Sequence, residues 1–118
     1  MKYKSDLKKR CYSFSLDVIE FIGKVDVSRI YNSLFDQLLR SSTSIGANVF
    51  EASASSSKKE FIRFYDIVLR SANETKYWLG SINDGLKINT KVAEKLIKEA
   101  TELSNIIAKS IINLKVNR

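Results

Sequence analysis

Apolar residues recur along this chain at alternating intervals of three and four, in four separate stretches. From about residue 5 to 24, Leu7, Cys11, Phe14, Val18, Phe21 and Val25 keep one rhythm, the seam of a helix lying lengthwise on another. A second stretch, about 29–54, carries Ile30, Leu34, Leu38, Ile45, Val49 and Ala52 on one stripe. Phe35, Leu39, Gly46 and Phe50 form a second stripe displaced around the same cylinder. A third stretch, about 58–83, turns Phe61, Tyr65, Val68, Ala72, Thr75, Leu79 and Ile82 inward. The fourth, about 90–115, repeats Ala93, Leu96, Ala100, Leu103, Ile107, Ile111 and Leu114, flanked by Ile97, Thr101, Ala108 and Ile112. The spacing predicts four helices, each roughly 30–40 Å long.

Polar punctuation separates the stretches. Asp26 or Ser28 is suited to N-cap the second helix. Ser53 to Ser57 reads as a hinge, and Ser57 with Glu60 has capping-box spacing, in which hydroxyl and carboxylate satisfy orphan backbone donors. Asn83-Asp84-Gly85 supplies stop chemistry, with Gly85 suited to a left-handed C-cap, and Asn89 or Thr90 caps the last helix. Short connections force neighbouring helices antiparallel. The expected fold is therefore all-α, an antiparallel up-down-up-down four-helix bundle in one domain over residues 1–118.

Composition narrows the chemistry. The chain has no proline, which favours long helices, and 118 residues suffice to bury roughly two-thirds of the unfolded surface. One cysteine excludes an internal disulfide, and with no histidine a zinc site is not expected. Cys11 falls within the first apolar seam and reads as a small buried hydrophobe. Asp6, Asp17 and Glu20 interrupt the early apolar runs, and no stretch approaches the ~18 apolar residues of a membrane span. The expectation is a cytoplasmic protein with no membrane partner. No glycine-rich phosphate loop, paired acid–base carboxylates or activated nucleophile is present, so no catalytic residue, metal, cofactor or small-molecule substrate is expected.

Three surfaces stand out. The apolar arc of the second helix spans on the order of 200°, about twice that of an ordinary surface helix. Phe35, Leu39, Phe50, Ile97 and Ile112 are therefore expected at a homo-oligomer interface. On the third helix Lys59, Arg63, Arg70 and Tyr77 share a face that combines cations with a stacking ring, a candidate nucleic-acid contact diluted by Asp66 and Glu74. Arg40, Asn48 and Glu51 lie near one edge of the second helix and are expected to form a structural polar network with Glu74. Ser41 to Ser44 reads as a tight-packing segment, and Gly46 as a point where the helix can bend. On the fourth helix Glu94 with Lys98, Lys95 with Glu99 and Lys98 with Glu102 have the spacing of surface ion pairs. The net charge of +7 and pI of about 9.6 suit a polyanionic partner at low salt.

Two segments carry a family resemblance. Gln37-Leu38-Leu39-Arg40, Ser44-Ile45-Gly46-Ala47-Asn48 and Glu51-Ala52 resemble the second-helix signature of a bacterial four-helix-bundle family. Phe61-Ile62-Arg63-Phe64 and Ala72-Asn73-Glu74-Thr75-Lys76-Tyr77-Trp78-Leu79 are similar to its third-helix signature. That family comprises the ribosomal-RNA intervening-sequence proteins and the accessory variability proteins of diversity-generating retroelements. The resemblance implies a basic, ring-shaped homopentamer that associates with RNA or DNA and, in the retroelement branch, with a reverse transcriptase. Many members carry proline where this chain has Gly46. A protein-binding helical scaffold without nucleic-acid affinity is the alternative reading, and an enzyme is the least supported.

Overall fold

Apolar seams decide how these helices pack. The structure is a computed structural model that describes residues 2–116. Four helices follow in order: α1 Lys2–Gly23, α2 Asn32–Ser53, α3 Lys58–Leu86 and α4 Thr90–Val116, with no strand among the described residues. The fold is the all-α four-helix arrangement the spacing predicts. Residues 1, 117 and 118, which the single-domain reading includes, lie outside the described residues.

Each helix packs on its two neighbours around a square, α1 on α2, α2 on α3, α3 on α4 and α4 back on α1, while the backbones of the diagonal pairs stay apart. The α2–α3 and α3–α4 hairpins are closely joined, and α4 meets α1 more sparsely. The resulting body measures 49 × 23 × 21 Å. Its single core is built from the expected seams: Phe14, Val18 and Phe21 of α1, Leu38 and Ile45 of α2, Val68, Leu79 and Ile82 of α3, and Leu103 and Ile107 of α4. Cys11 lies wholly inside it.

The hinge forms as its composition predicts. Ser57 Oγ accepts from the Glu60 N–H at 3.1 Å, while the Glu60 carboxylate reaches back to the Ser56 N–H at 3.3 Å. The box is thus offset by one residue on its return arm. Ser28 accepts from the Ile30 N–H at 3.4 Å, but it caps the short turn that precedes α2; α2 itself starts after Tyr31 with no side-chain cap, so neither Asp26 nor Ser28 caps that helix.

Two boundaries differ from expectation. Arg29–Tyr31 form a single 3₁₀ turn before α2, which swings Ile30 out to 76% exposure instead of onto the inner stripe. At the far end α3 runs past Gly85 to Leu86, and Lys87 takes the left-handed cap with φ 54°. The continued turn lets Leu86 pack against the core, and Asn89, with φ 48°, completes the reversal. Burial at Leu86 outweighs the stop signal at Gly85.

Gly46 belongs to close packing. The α-helix continues through it without interruption, and a Cβ built there would meet the Cys11 carbonyl oxygen and Ser15 Oγ at 3.5 Å each. That is ordinary van der Waals separation, so a methyl group fits while removing the conformational freedom of a mid-helix glycine. Gly46→Ala is expected to stabilise the fold by about 0.5–1 kcal/mol, read as a higher urea midpoint with an unchanged slope. A lowered midpoint would show that α1 and α2 need to approach more closely than these separations indicate.

Candidate interaction surfaces

Inside the α2–α3 hairpin, small hydroxyl side chains replace large apolar ones. Thr75 Oγ1 lies 2.9 Å from Ser41 Oγ and 2.8 Å from the Ser71 carbonyl oxygen. A hydroxyl has one proton, so if Thr75 donates to the carbonyl, Ser41 must donate to Thr75. One turn along, Ser71 Oγ and Ser44 Oγ pair at 2.9 Å. Asn48 Nδ2 donates to the Ser44 carbonyl at 2.8 Å and to Ser44 Oγ at 3.0 Å. Thr75, Ser41 and Ser71 are buried, so the ladder replaces water with protein partners in the core.

This ladder corrects the expected polar network. Asn48 takes part, but Arg40, Glu51 and Glu74 are exposed and stand apart from it. The physical reason is size. The α2–α3 approach is close enough for serine and threonine to touch across it, leaving long charged side chains to turn outward into water. A second polar bridge joins α3 to α4, where Lys76 Nζ donates to Ser104 Oγ at 3.2 Å.

The α1–α4 seam is built differently. Arg10 holds Glu99 through two bonds, Nε to one carboxylate oxygen at 2.7 Å and Nη2 to the other at 2.8 Å. Its Nη2 also reaches Glu102 at 2.6 Å. Hydrogen bonding to Glu99, then to Glu102, raises the Arg10 pKa and keeps the guanidinium protonated. Beside this clasp runs a groove of about 550 Å³ with Phe14, Phe21 and Leu96 at its floor and Asp17, Glu20, Lys95 and Lys98 among its lining. The expected pairs of Lys95 with Glu99 and Lys98 with Glu102 do not form, because Arg10 takes both carboxylates across the seam.

The expected interface residues divide. Phe35 is buried within the single chain at 8% exposure, because the α2 arc packs against α1 as well as α3. A bundle helix has two neighbours and needs a wider apolar arc than a surface helix. Ile97 is likewise half-buried against the core. Leu39, Phe50 and Ile112 remain outside at 37%, 50% and 61% exposure, with Lys8 Nζ set 4.7 Å from the Phe50 ring centroid. Sequence reasoning missed three companions on α1, Tyr12, Leu16 and Ile19, all about half exposed or more. Their spacing of four and three repeats the core rhythm one step around the helix, a signal hidden by the stronger seam beside it.

On α3, Lys59, Arg63, Arg70 and Tyr77 are all exposed, with Asp66 and Glu74 exposed among them. They are strung over 18 residues, roughly 27 Å of helix, so they form a line. Arg63 lies 4.8 Å over the Phe64 ring, and Tyr77 meets Trp78 edge-on at 5.1 Å. Arg70 does not pair with Glu74. Among the described residues, no group of three acidic or thiol side chains could hold a metal ion, and no helix is long and apolar enough to cross a membrane.

Burial pushes the Cys11 thiol from an ordinary 9.0 up to about 12, with nearby Glu99 adding to the rise. The family described as 23S rRNA-intervening sequence protein matches residues 4–109. The chain belongs to that family. Its bundle is similar to the crystal structure of a protein of unknown function from the S23 ribosomal protein family of Bacteroides thetaiotaomicron VPI-5482. The TM-score is 0.78 and the identity 28%, over 89% of this chain and 97% of that one. No curated protein matches the chain.

Two outcomes follow from this geometry. Thr75→Val keeps the shape but removes the bridging hydroxyl, and is expected to cost about 1–2 kcal/mol. Alanine at Arg40, Glu51 or Glu74 is expected to change stability by less than about 0.5 kcal/mol; urea denaturation of the four variants separates the two networks. For Cys11, the folded pKa lies above the unfolded one, so the neutral thiol's contribution is fully present below pH 9.0 and is lost as pH rises toward about 12. Native protein at pH 8 is expected to resist a thiol reagent that labels urea-unfolded chain at once. Equal labelling rates would show that the α1–α2 seam opens readily.

Proposed function

We propose that this protein is a non-enzymatic, homo-oligomeric accessory protein that associates with nucleic acid. The observation that carries the reading is the pair of unlike apolar patches left on the finished bundle. One runs along α1 and α2 through Leu16, Ile19, Leu39 and Phe50, and the other is centred on Ile112 of α4. The first patch lies on α1 and α2 and the second on α4, which meets α1 only sparsely and α2 not at all along the backbone. Unlike patches pair head to tail, and a head-to-tail contact closes into a ring when the rotation permits. The pentamer implied by the family resemblance is the ring we favour.

Charge supports the nucleic-acid half of the reading. Each copy brings +7, so five copies would bring about +35 to one assembly. Lys59, Arg63, Arg70 and Tyr77 are available on the outer face of α3 for phosphate and base contact. Membership in an rRNA intervening-sequence family makes RNA the first partner to test, with DNA beside it. A reverse transcriptase is the protein partner this reading admits, through the retroelement branch of the resemblance. The exposed α1 stripe favours a second reading, a protein-binding scaffold with no nucleic-acid affinity.

Light scattering after size exclusion tests the assembly. The wild type is expected to elute at about five times the 13.4 kDa chain mass, and Phe50→Glu or Ile112→Glu to reduce it to single bundles. A wild-type monomer at micromolar concentration overturns the assembly. A salt-titrated gel shift with structured RNA separates the two readings, since the scaffold predicts the same ring with no shift.

A further inference from the structure

Charge is unevenly distributed along the length of the bundle. In this topology the start of α1, the α2–α3 hinge and the end of α4 share one pole: Lys8 sits over Phe50, and Ile62 and Leu114 line one hollow. The half of the bundle at that pole, taken where side chains are described, comprises residues 6–12, 43–71 and 104–116. It carries nine lysines and arginines against four carboxylates, one of the nine being Arg10, which Glu99 and Glu102 of the other half hold. The opposite half, residues 13–42 and 72–103, carries eight against nine. With the divide one turn nearer the hinge, and Arg10 left out, the pole still holds seven cations against four carboxylates. The net positive charge of the described residues is thus concentrated at one end, while the other end is close to neutral.

The pole also has shape. Lys58, Lys59 and Lys115 surround a hollow of about 600 Å³ floored by Ile62 and Leu114. Arg63 stands one turn further along α3, exposed and lying over the Phe64 ring. Of the four carboxylates in this half, Glu60 is engaged in capping the hinge. The bundle is 21–23 Å across. A duplex presents one phosphate charge per about 1.7 Å of axis, so a face of this width spans about a dozen of them. An array of separate lysines spread over such a face suits a repeating anion better than a single small one.

We infer that this hinge pole is the surface on which the protein docks the phosphate backbone of a nucleic acid. The inference deepens the nucleic-acid reading above and rests on it. It moves the main contact from the length of α3 to the end of the bundle, so Lys59 and Arg63 remain within the site and Tyr77 falls outside it. In a ring whose bundles stand parallel to its axis, the poles of all copies form one positive rim.

Two triple variants with the same change in net charge test the placement: Lys58→Gln, Lys59→Gln and Lys115→Gln at the pole, and Lys91→Gln, Lys95→Gln and Lys98→Gln on the neutral half. Circular dichroism confirms that each folds, and fluorescence anisotropy with a single-stranded 30-nucleotide RNA reads binding across a salt series. The pole variant is expected to lose about 100-fold in affinity at 0.1 M salt, with the slope of log K against log salt shallower by about 2. The control is expected to lose less than about fivefold. Equal losses, or a greater loss in the control, overturn the placement and leave the nucleic-acid reading standing. No binding by the wild type to this RNA or to a duplex of the same length overturns both. So does binding only to vesicles containing anionic lipid, which would identify the pole as a membrane-facing surface.

Discussion

The register of the α2–α3 hairpin is the constraint on which the remaining structure depends. Leucine and isoleucine seams attract without direction, and two such helices can slide by a turn and still bury similar area. Hydroxyl contacts cannot. The Ser41–Thr75 and Ser44–Ser71 pairs form at one height only, and a slip would break both and take the buried Ser71 hydroxyl from its Ser44 partner. With that height set, α4 follows α3 through the Lys76–Ser104 bridge, and α1 settles against the small surface at Gly46. The placement of every exposed patch inherits this one alignment.

The architecture was legible because it depends on period, and a period is visible within a single helix. The four seams, the serine hinge and the Ser57 cap could all be read residue by residue, whereas Ser28 caps a 3₁₀ turn that the spacing did not show. What escaped notice depends on relations between helices. Arg10 and Glu99 stand 89 positions apart, and no local spacing reveals them; the i to i+4 pairs on α4 were instead the conspicuous and wrong candidates. The same applies to Phe35. Its side chain belongs to an arc that looked too wide for one chain, yet the arc serves two neighbours at once.

The surface was legible in part. Exposure at Leu39, Phe50 and Ile112 followed from the displaced stripes, whereas Tyr12, Leu16 and Ile19 were overshadowed by the seam they flank. The polarity of charge from end to end was present in the sequence but needed the topology. Helix-by-helix totals spread the cations over three helices and hide that three chain segments meet at one pole. Knowing that the bundle runs up, down, up and down turns a diffuse surplus into a directional field.

The clasp at Arg10 has one more consequence. Helix α1 is fastened on one side by close packing, which salt leaves intact, and on the other by partly exposed ion pairs, which salt weakens. Its two attachments therefore fail under different conditions. At high ionic strength the clasp weakens while the close packing persists, so the α1–α4 side is then held by the apolar contacts of Phe14, Phe21 and Leu96.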